Sequence, residues 1–587
     1  MKKKMKNTIL AGTFLTAALL FTACDDVFEP LPENFLPIES AGENSSYADN
    51  LLGNAYSSVP ESGGYSFDDP ATDDAVSNDR DNSWRKIATG SWSSNFNPTS
   101  CWDGSRCAIQ YCNLFLSIVE NVVWAADEEV NKLFHDREIG EAYGLRAIHM
   151  YFLLRAHAGK DSEGNLLGIP IVTEPEGEGS NFNLPRNTFR ECYDAMLADI
   201  AMAMKYLPTE YGSEYFNELR SRYPGVTDGS LERVFGTKFK GRVSGRVLKA
   251  FQAKASLLAA SPAYAASGVT WEEALEDNGK VLDIIGGING LDPTGNRWYD
   301  DPAIEKYESG QCPPEVIWRS NLANNHALEE DNYPPTLYGK GRINPTQNLV
   351  DAFPMANGYP ISAGESGYDP ANPYADRDPR LGMYILYNGE KMASTQIITA
   401  ADGTTDDALN KMSNSTRTGY YMRKHLNEAV ICNPNNIKDM KHYSARLRYT
   451  EFFLNYAEAA NEANGPMWKG SRGYSAYDII KQIRLRAGVG LENGDAYLES
   501  IKNDQTKMRE MIRNERRLEL CFEGFRFYDV RRWNADMNVS AKGVRINGGV
   551  GQVFDVEPRS YGSHMIYGPI PNSEVLKFNN LRQNAGW

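Results

Sequence analysis

The sequence predicts a mainly α-helical protein whose scaffold is interrupted by a loop-rich insert with a few short strands. Three observations predict it. Apolar residues recur at helical spacing in two blocks, one before residue 261 and one after 440. Between them, proline and glycine are frequent, and long polar stretches separate short apolar runs. The apolar fraction, 41%, is ample for a large core.

The clearest helix runs from Phe189 to Leu207. Phe189, Cys192, Tyr193, Met196, Leu197, Ile200, Met204 and Leu207 fall on one face, and Pro208 stops it. Glu138 to Ala158 is apolar on nearly every side, so neighbours bury it on several faces. Ser244 to Ala260 carries a stripe of Val247, Leu248, Phe251, Ala255 and Leu258. In the insert, Glu315 to Trp318 reads as a strand and Leu381 to Tyr387 as a second. Helices return with Tyr449, Phe452, Phe453, Tyr456, Ala460 and Ala463 on one stripe ending near Asn464-Gly465-Pro466, then Tyr474 to Ala487 and Met508 to Phe522. From Asn534 the chain reads as irregular. Alternating small and bulky residues on paired helices suggest hairpin stacking of the tetratricopeptide kind, without a strict 34-residue repeat.

The start of the chain speaks to location. Lys2, Lys3, Lys4 and Lys6 precede an apolar run from Ile9 to Phe21, then Thr22-Ala23-Cys24. A basic start, a short apolar segment and a small residue at the cut make a secretory signal. The cysteine after the cut resembles a bacterial lipoprotein signal, with Phe21 where leucine is usual and Cys24 as the lipidated residue. The run is too short to span a bilayer, so the expectation is a tether. Asp25-Asp26 resembles the surface-export signal of Bacteroidetes lipoproteins. The expected organisation is a signal at 1–23, a lipidated, proline-rich tether at 24–45, a helical region at 46–261, the insert at 262–440 and a second helical region with a tail at 441–587.

The formal charge is −16, and removing a signal with four lysines and no acids takes it to −20. That argues against nucleic acid and against polybasic docking on anionic lipid. Once Cys24 is set aside, seven cysteines remain, which argues against a disulfide framework. Cys101, Cys107 and Cys112 cluster without a CxxC, and no motif asks for a metal or cofactor. No HExxH, GxSxG or P-loop pattern appears. His149 and His157 read as satisfied core groups. Glu515, Glu519, Glu523, Arg526, Asp529 and Arg532 look catalytic, but with Arg516 and Arg531 nearby they read as an ion-pair network closing the fold. A two-carboxylate glycosidase is the competing reading from another class.

Several segments carry a resemblance. Arg446-Leu447-Arg448-Tyr449 with Leu454 to Ala459, and the block from Glu510 to Trp533, are two. Pro345-Thr346-Gln347 with Leu349 to Phe353, and Arg377 to Leu381, are two more. Gly168 to Val172 and the close, Pro569-Ile570-Pro571 with Gln583 to Trp587, complete the set. In this order they resemble the SusD/RagB family of surface glycan-binding lipoproteins. The resemblance implies four tetratricopeptide-like helix pairs under a loop-rich subdomain, no catalysis, and no cofactor. It implies capture of oligosaccharide or polysaccharide and delivery to a SusC-like TonB-dependent transporter in the outer membrane, on which such proteins act as a lid. The same scaffold delivering a non-glycan nutrient such as peptide is the alternative.

A glycan site needs aromatic rings on loops, to stack on sugar C–H faces, with polar neighbours for the hydroxyls. Two loops qualify. Gly63 to Trp102 holds Tyr65, Phe67, Trp84, Trp92 and Trp102, with Asp73, Asp74, Asn78, Asp79 and Arg80 among them. Gly286 to Tyr338 holds Trp298, Tyr299, Tyr333 and Tyr338. By analogy with the family, the expected ligands are Asp74, Trp84 and Trp92 from the first, and Trp298, Tyr299, Tyr333 and Trp318 from the second, although Trp318 also reads as core at the end of its strand.

Overall fold

The computed structural model describes residues 44–60, 67–308 and 310–587. The signal, Cys24, nearly all of the tether and Tyr65 lie outside the described residues. Helices α1 (Ser45–Ser57) and α2 (Trp102–Ile118) form the first pair, α3 (Glu128–His157) and α4 (Phe189–Tyr206) the second, α5 (Gly245–Ala260) and α6 (Trp271–Asp283) the third, and α7 (Tyr449–Asn464) and α8 (Ala476–Arg486) the fourth. Each pair packs on the next, α2 on α3, α4 on α5 and α6 on α7. α9 (Gln505–Glu519) leans on α7, and the short α10 (Arg526–Arg532) follows it. The expected mainly α, tetratricopeptide-like scaffold of four pairs is the observed one.

Local chemistry sets the helix ends. Thr188 and Glu191 form a capping box at the start of α4, as do Thr270 and Glu273 for α6 and Ser475 and Asp478 for α8. α3 starts at Glu128, ten residues before the periodicity suggested. The Asp127 side chain accepts from Val130 N, and Val130 and Leu133 join the buried face. α3 also carries Gly140 and Gly144, where an added Cβ would stand 2.8 Å from Leu207 and Val243. The missing side chains let neighbouring chain approach its backbone. His149 and His157 are buried and bonded, His149 to Ser105 Oγ and the Ala55 carbonyl and His157 to the Pro569 carbonyl, and burial pushes both imidazoles down to about 4.

The insert adds two-stranded ribbons around a second apolar core of Tyr333, Leu349, Phe353, Tyr384, Tyr420 and Phe522. β1 (Ala75–Ser77) pairs antiparallel with β4 (Ile343–Pro345), Ala75 opposite Pro345. β2 (Val316–Arg319) pairs with β6 (Ala445–Arg448), and β3 (Ala323–Asn325) with β5 (Met440–His442), Ala323 opposite His442. Two expectations need correction. Leu381 to Tyr387 is not one strand, because a helix over Arg380–Tyr384 precedes the two strand residues Ile385–Leu386. The tail is not irregular throughout: β7 (Ala541–Asn547) and β8 (Val550–Glu557) form a hairpin closed at Gly548-Gly549, both at positive φ. Its outer strand is largely exposed, which hides the usual apolar alternation.

The acidic block is a buried ion-pair network. Arg380, fully buried, binds Asp378 at 2.7 Å, Glu515 at 2.6 Å and Glu519 at 3.0 Å. Arg448 joins Glu315 at 2.9 Å to Glu523 at 2.7 Å, and Arg486 meets Glu519 at 2.7 Å. The three glutamates thus find partners far away in sequence. Glu523 lies past the end of α9, so they do not share one helix face. The nearby arginines turn elsewhere: Arg516 and Arg532 to Asp529, Arg532 also to Glu458, and Arg526 to Asp73.

Candidate functional site

A concavity lies where the two aromatic loops meet. It measures about 830 Å³, within the range of small-ligand sites. β1 leads into its Asp79 and Asn82 wall, and β4 opens with Ile343 beside Arg342. The turn between β2 and β3 contributes Ser320, Asn321 and Leu322, and β5 runs into His442, Tyr443 and Ser444. The helix over Ala327–Asn332 supplies Leu328, Asp331 and Asn332, and Phe67 gives an apolar face.

Hydrogen bonds fix this wall. Asn82 Oδ1 accepts from Arg85 N and Asn325 Oδ1 from Ala327 N, which leaves each Nδ2 for a ligand oxygen. Asn78 ties the first loop to the second, donating to the carbonyls of Lys340 (2.9 Å) and Gly341 (2.8 Å). His442 Nε2 lies 2.9 Å from Glu329 Oε1, and its Nδ1 lies 2.9 Å from the Met440 carbonyl. Burial alone would lower the His442 imidazolium, but the Glu329 carboxylate outweighs it and raises it.

The seven expected side chains are not the cavity wall. Asp74 is fully buried and accepts from Arg517 Nε at 2.6 Å; burial raises its carboxyl against the pull of that guanidinium. Trp92, 3% exposed, donates to Asn97 and packs on Phe527 and Trp587. Trp318, 2% exposed, donates to the Gly241 carbonyl. Tyr333, 1% exposed, donates to the Asn427 carbonyl. Trp298, 3% exposed, packs 5.5 Å from Tyr443. A ring with no face in solvent cannot stack on a sugar, so these four rings pack as supports, and the Asp74 carboxylate is taken up by Arg517. Trp298 stands behind Tyr443, and Tyr333 follows Asn332. Trp102, too, is a buried residue opening α2 and not a loop anchor. The two half-buried candidates lie elsewhere. Tyr299 packs 5.2 Å from His425, and burial raises its hydroxyl. Trp84 meets Phe527 edge-on and lines a second cavity of about 460 Å³ with Phe152, Arg155 and Tyr528.

Both loops singled out in the sequence border this cavity, with Phe67 and Asp79 of the first; Asn321, Asn325, Arg342 and His442 border it too and were not among the expected residues. The run Asn321-Leu322-Ala323-Asn324-Asn325, three amides directly after a strand, was the available signal. Nothing local marks His442, which reaches the site through the pairing of β5 with β3. Among the described residues, no cluster of His, Cys, Asp and Glu could hold a metal ion, and no helix is long and apolar enough to cross a membrane.

Comparison with known proteins places this architecture. Residues 314–587 match the model of the SusD family, and residues 44–221 match a SusD-like model described as starch-binding associating with outer membrane. SusD-like protein P38 of Formosa agariphila is 22% identical over 573 residues, covering 92% of this chain and 93% of that protein. A SusD-like protein of Bacteroides fragilis superposes with a TM-score of 0.69 at 22% identity, covering 94% of this chain and 98% of the other. A SusD-like carbohydrate-binding protein of the same species gives 0.67 at 21% identity, over 93% and 100%. Surface glycan-binding protein A of Bacteroides fluxus gives 0.56 at 16% identity, over 93% and 100%. With two SusD models matched across its two ends and the same fold along its length, this chain belongs to the SusD family.

Proposed function

We propose that this protein is a lipid-anchored outer-membrane protein, attached through Cys24 and facing the cell exterior. It captures an oligosaccharide and delivers it to a SusC-like TonB-dependent transporter. The observation that carries the reading is the cavity of about 830 Å³ at the meeting of the two loops, walled by asparagines, serines and an apolar ring. Amide and hydroxyl groups match sugar hydroxyls, and Phe67 offers a face to C–H groups. The reading is supported by relatives described as carbohydrate-binding and surface glycan-binding. The protein acts as a binder that releases its ligand unchanged.

Calorimetric titration of the chain from residue 25 onward against plant, microbial and host polysaccharides tests it. Binding to one class, weakened at least about tenfold by Asn321→Ala or Arg342→Ala at unchanged melting temperature, is the expected result; tenfold corresponds to about 1.4 kcal/mol. Trp84→Ala tests the second cavity in the same series. Binding that survives the first two substitutions and fails with Trp84→Ala would move the site there. Binding of peptides alone, or release of shortened sugars, would overturn the reading.

A further inference from the structure

The four charged side chains that line the main cavity among the described residues each face an opposite charge. Asp331 is met by Lys340 Nζ at 3.0 Å. Asp79 Oδ2 lies 3.8 Å from Arg342 Nη1. His442 has an acceptor at both ring nitrogens, the Met440 carbonyl and Glu329 Oε1, so any charge the ring carries is matched by that carboxylate. Lys340 is further shared with Glu330 at 3.2 Å. No cation on this wall is left in surplus. A carboxylate or sulfate entering the cavity would have to break a pair, and would do so against a chain of formal charge −16. The remaining groups are uncharged: the Asn82 and Asn325 amide donors and the exposed Asn321 amide, beside Phe67.

We infer that the cavity selects uncharged oligosaccharides and rejects those bearing uronate or sulfate groups. The inference rests on reading the cavity as a glycan site and adds the class of glycan. It concerns charge balance and not shape, so it separates starch-, mannan- or xylan-like chains from pectin-, alginate- or chondroitin-like ones without choosing within the first group.

The test titrates the chain with neutral probes (soluble starch, β-mannan, laminarin) and anionic ones (polygalacturonate, alginate, chondroitin sulfate) in about 50 and about 500 mM NaCl, where screening lengths differ several-fold. The expected result is a neutral ligand whose Kd changes less than about twofold with salt, and anionic probes at least about a hundredfold weaker. Asp79→Asn with Asp331→Asn, two half-exposed sites away from the core, removes two negative charges from the wall and leaves Arg342 without its partner and Lys340 with Glu330 alone. That variant should gain affinity for polygalacturonate by at least about fivefold, most strongly at low salt. Tight binding of an anionic probe to the unmodified chain, steeply weakened by salt, overturns the inference while leaving a glycan site in place. An unchanged rejection of anions by the double variant overturns it too. Binding to none of the probes, with the fold intact by circular dichroism, overturns the glycan reading and the inference together.

Discussion

Asp69 shows how one residue records its surroundings. It is buried at 1% exposure, and one oxygen accepts from Phe522 N at 3.1 Å, a residue held at φ +61°. Burial first, and the neighbouring Asp74 second, raise its carboxyl from 3.8 to about 7. Below both values folded and unfolded chains hold the proton alike. Between them the unfolded chain sheds it first, so the stability that Asp69 contributes is present below about pH 4 and lost as pH rises toward 7. Asp69→Asn keeps an acceptor for Phe522 and removes the titration. Its melting temperature should exceed that of the parent at pH 8 and match it near pH 4; equal profiles would contradict the assignment. The same scale explains which site residues were legible. An indole in a polar loop looks like a ligand, but Trp92 and Trp298 find aromatic neighbours from Phe527, Trp587 and Tyr443, far away in sequence. Window-based reasoning cannot see such partners.

At the scale of elements, periodicity and caps did most of the work. Phe189–Tyr206 and Tyr449–Asn464 lie where the apolar stripes place them, because a helix buried along one face must repeat at its own pitch. The Thr188–Glu191 box satisfies two otherwise unpaired groups at the start of α4. Thr188→Ala should therefore lower stability by about 1 kcal/mol, read as a shift in urea midpoint, with glycan affinity unchanged. A loss of affinity would mean that α4 positions the cavity, to whose lining it contributes no residue. Short strands were harder to read. β3 and β5 have three residues each and exist because they pair with one another, so no local pattern announces them.

At the scale of the molecule, Arg380 joins the insert to the scaffold. It reaches from Arg380–Tyr384 to Glu515 and Glu519 on α9, with all partners fully buried. Arg380→Met leaves Asp378, Glu515 and Glu519 short of their cation. The expected cost is about 3–5 kcal/mol by chemical denaturation, because carboxylates held away from water need a partner. A change below about 1 kcal/mol would show that the network is not what closes the fold. The sequence by itself determined the helical scaffold and the family resemblance, since pitch, caps and contiguous motifs are local properties of a chain; the third pair's α6 lies within the span 262–440 that composition marks as insert. Only the tertiary structure decided what lines the candidate cavity. Which rings are buried, which charges cancel and which asparagines line the cavity depend on segments more than a hundred residues apart, as with Asp79 and Arg342 or Ala323 and His442, and such contacts exist only once the ribbons have paired and the insert has closed on the helices.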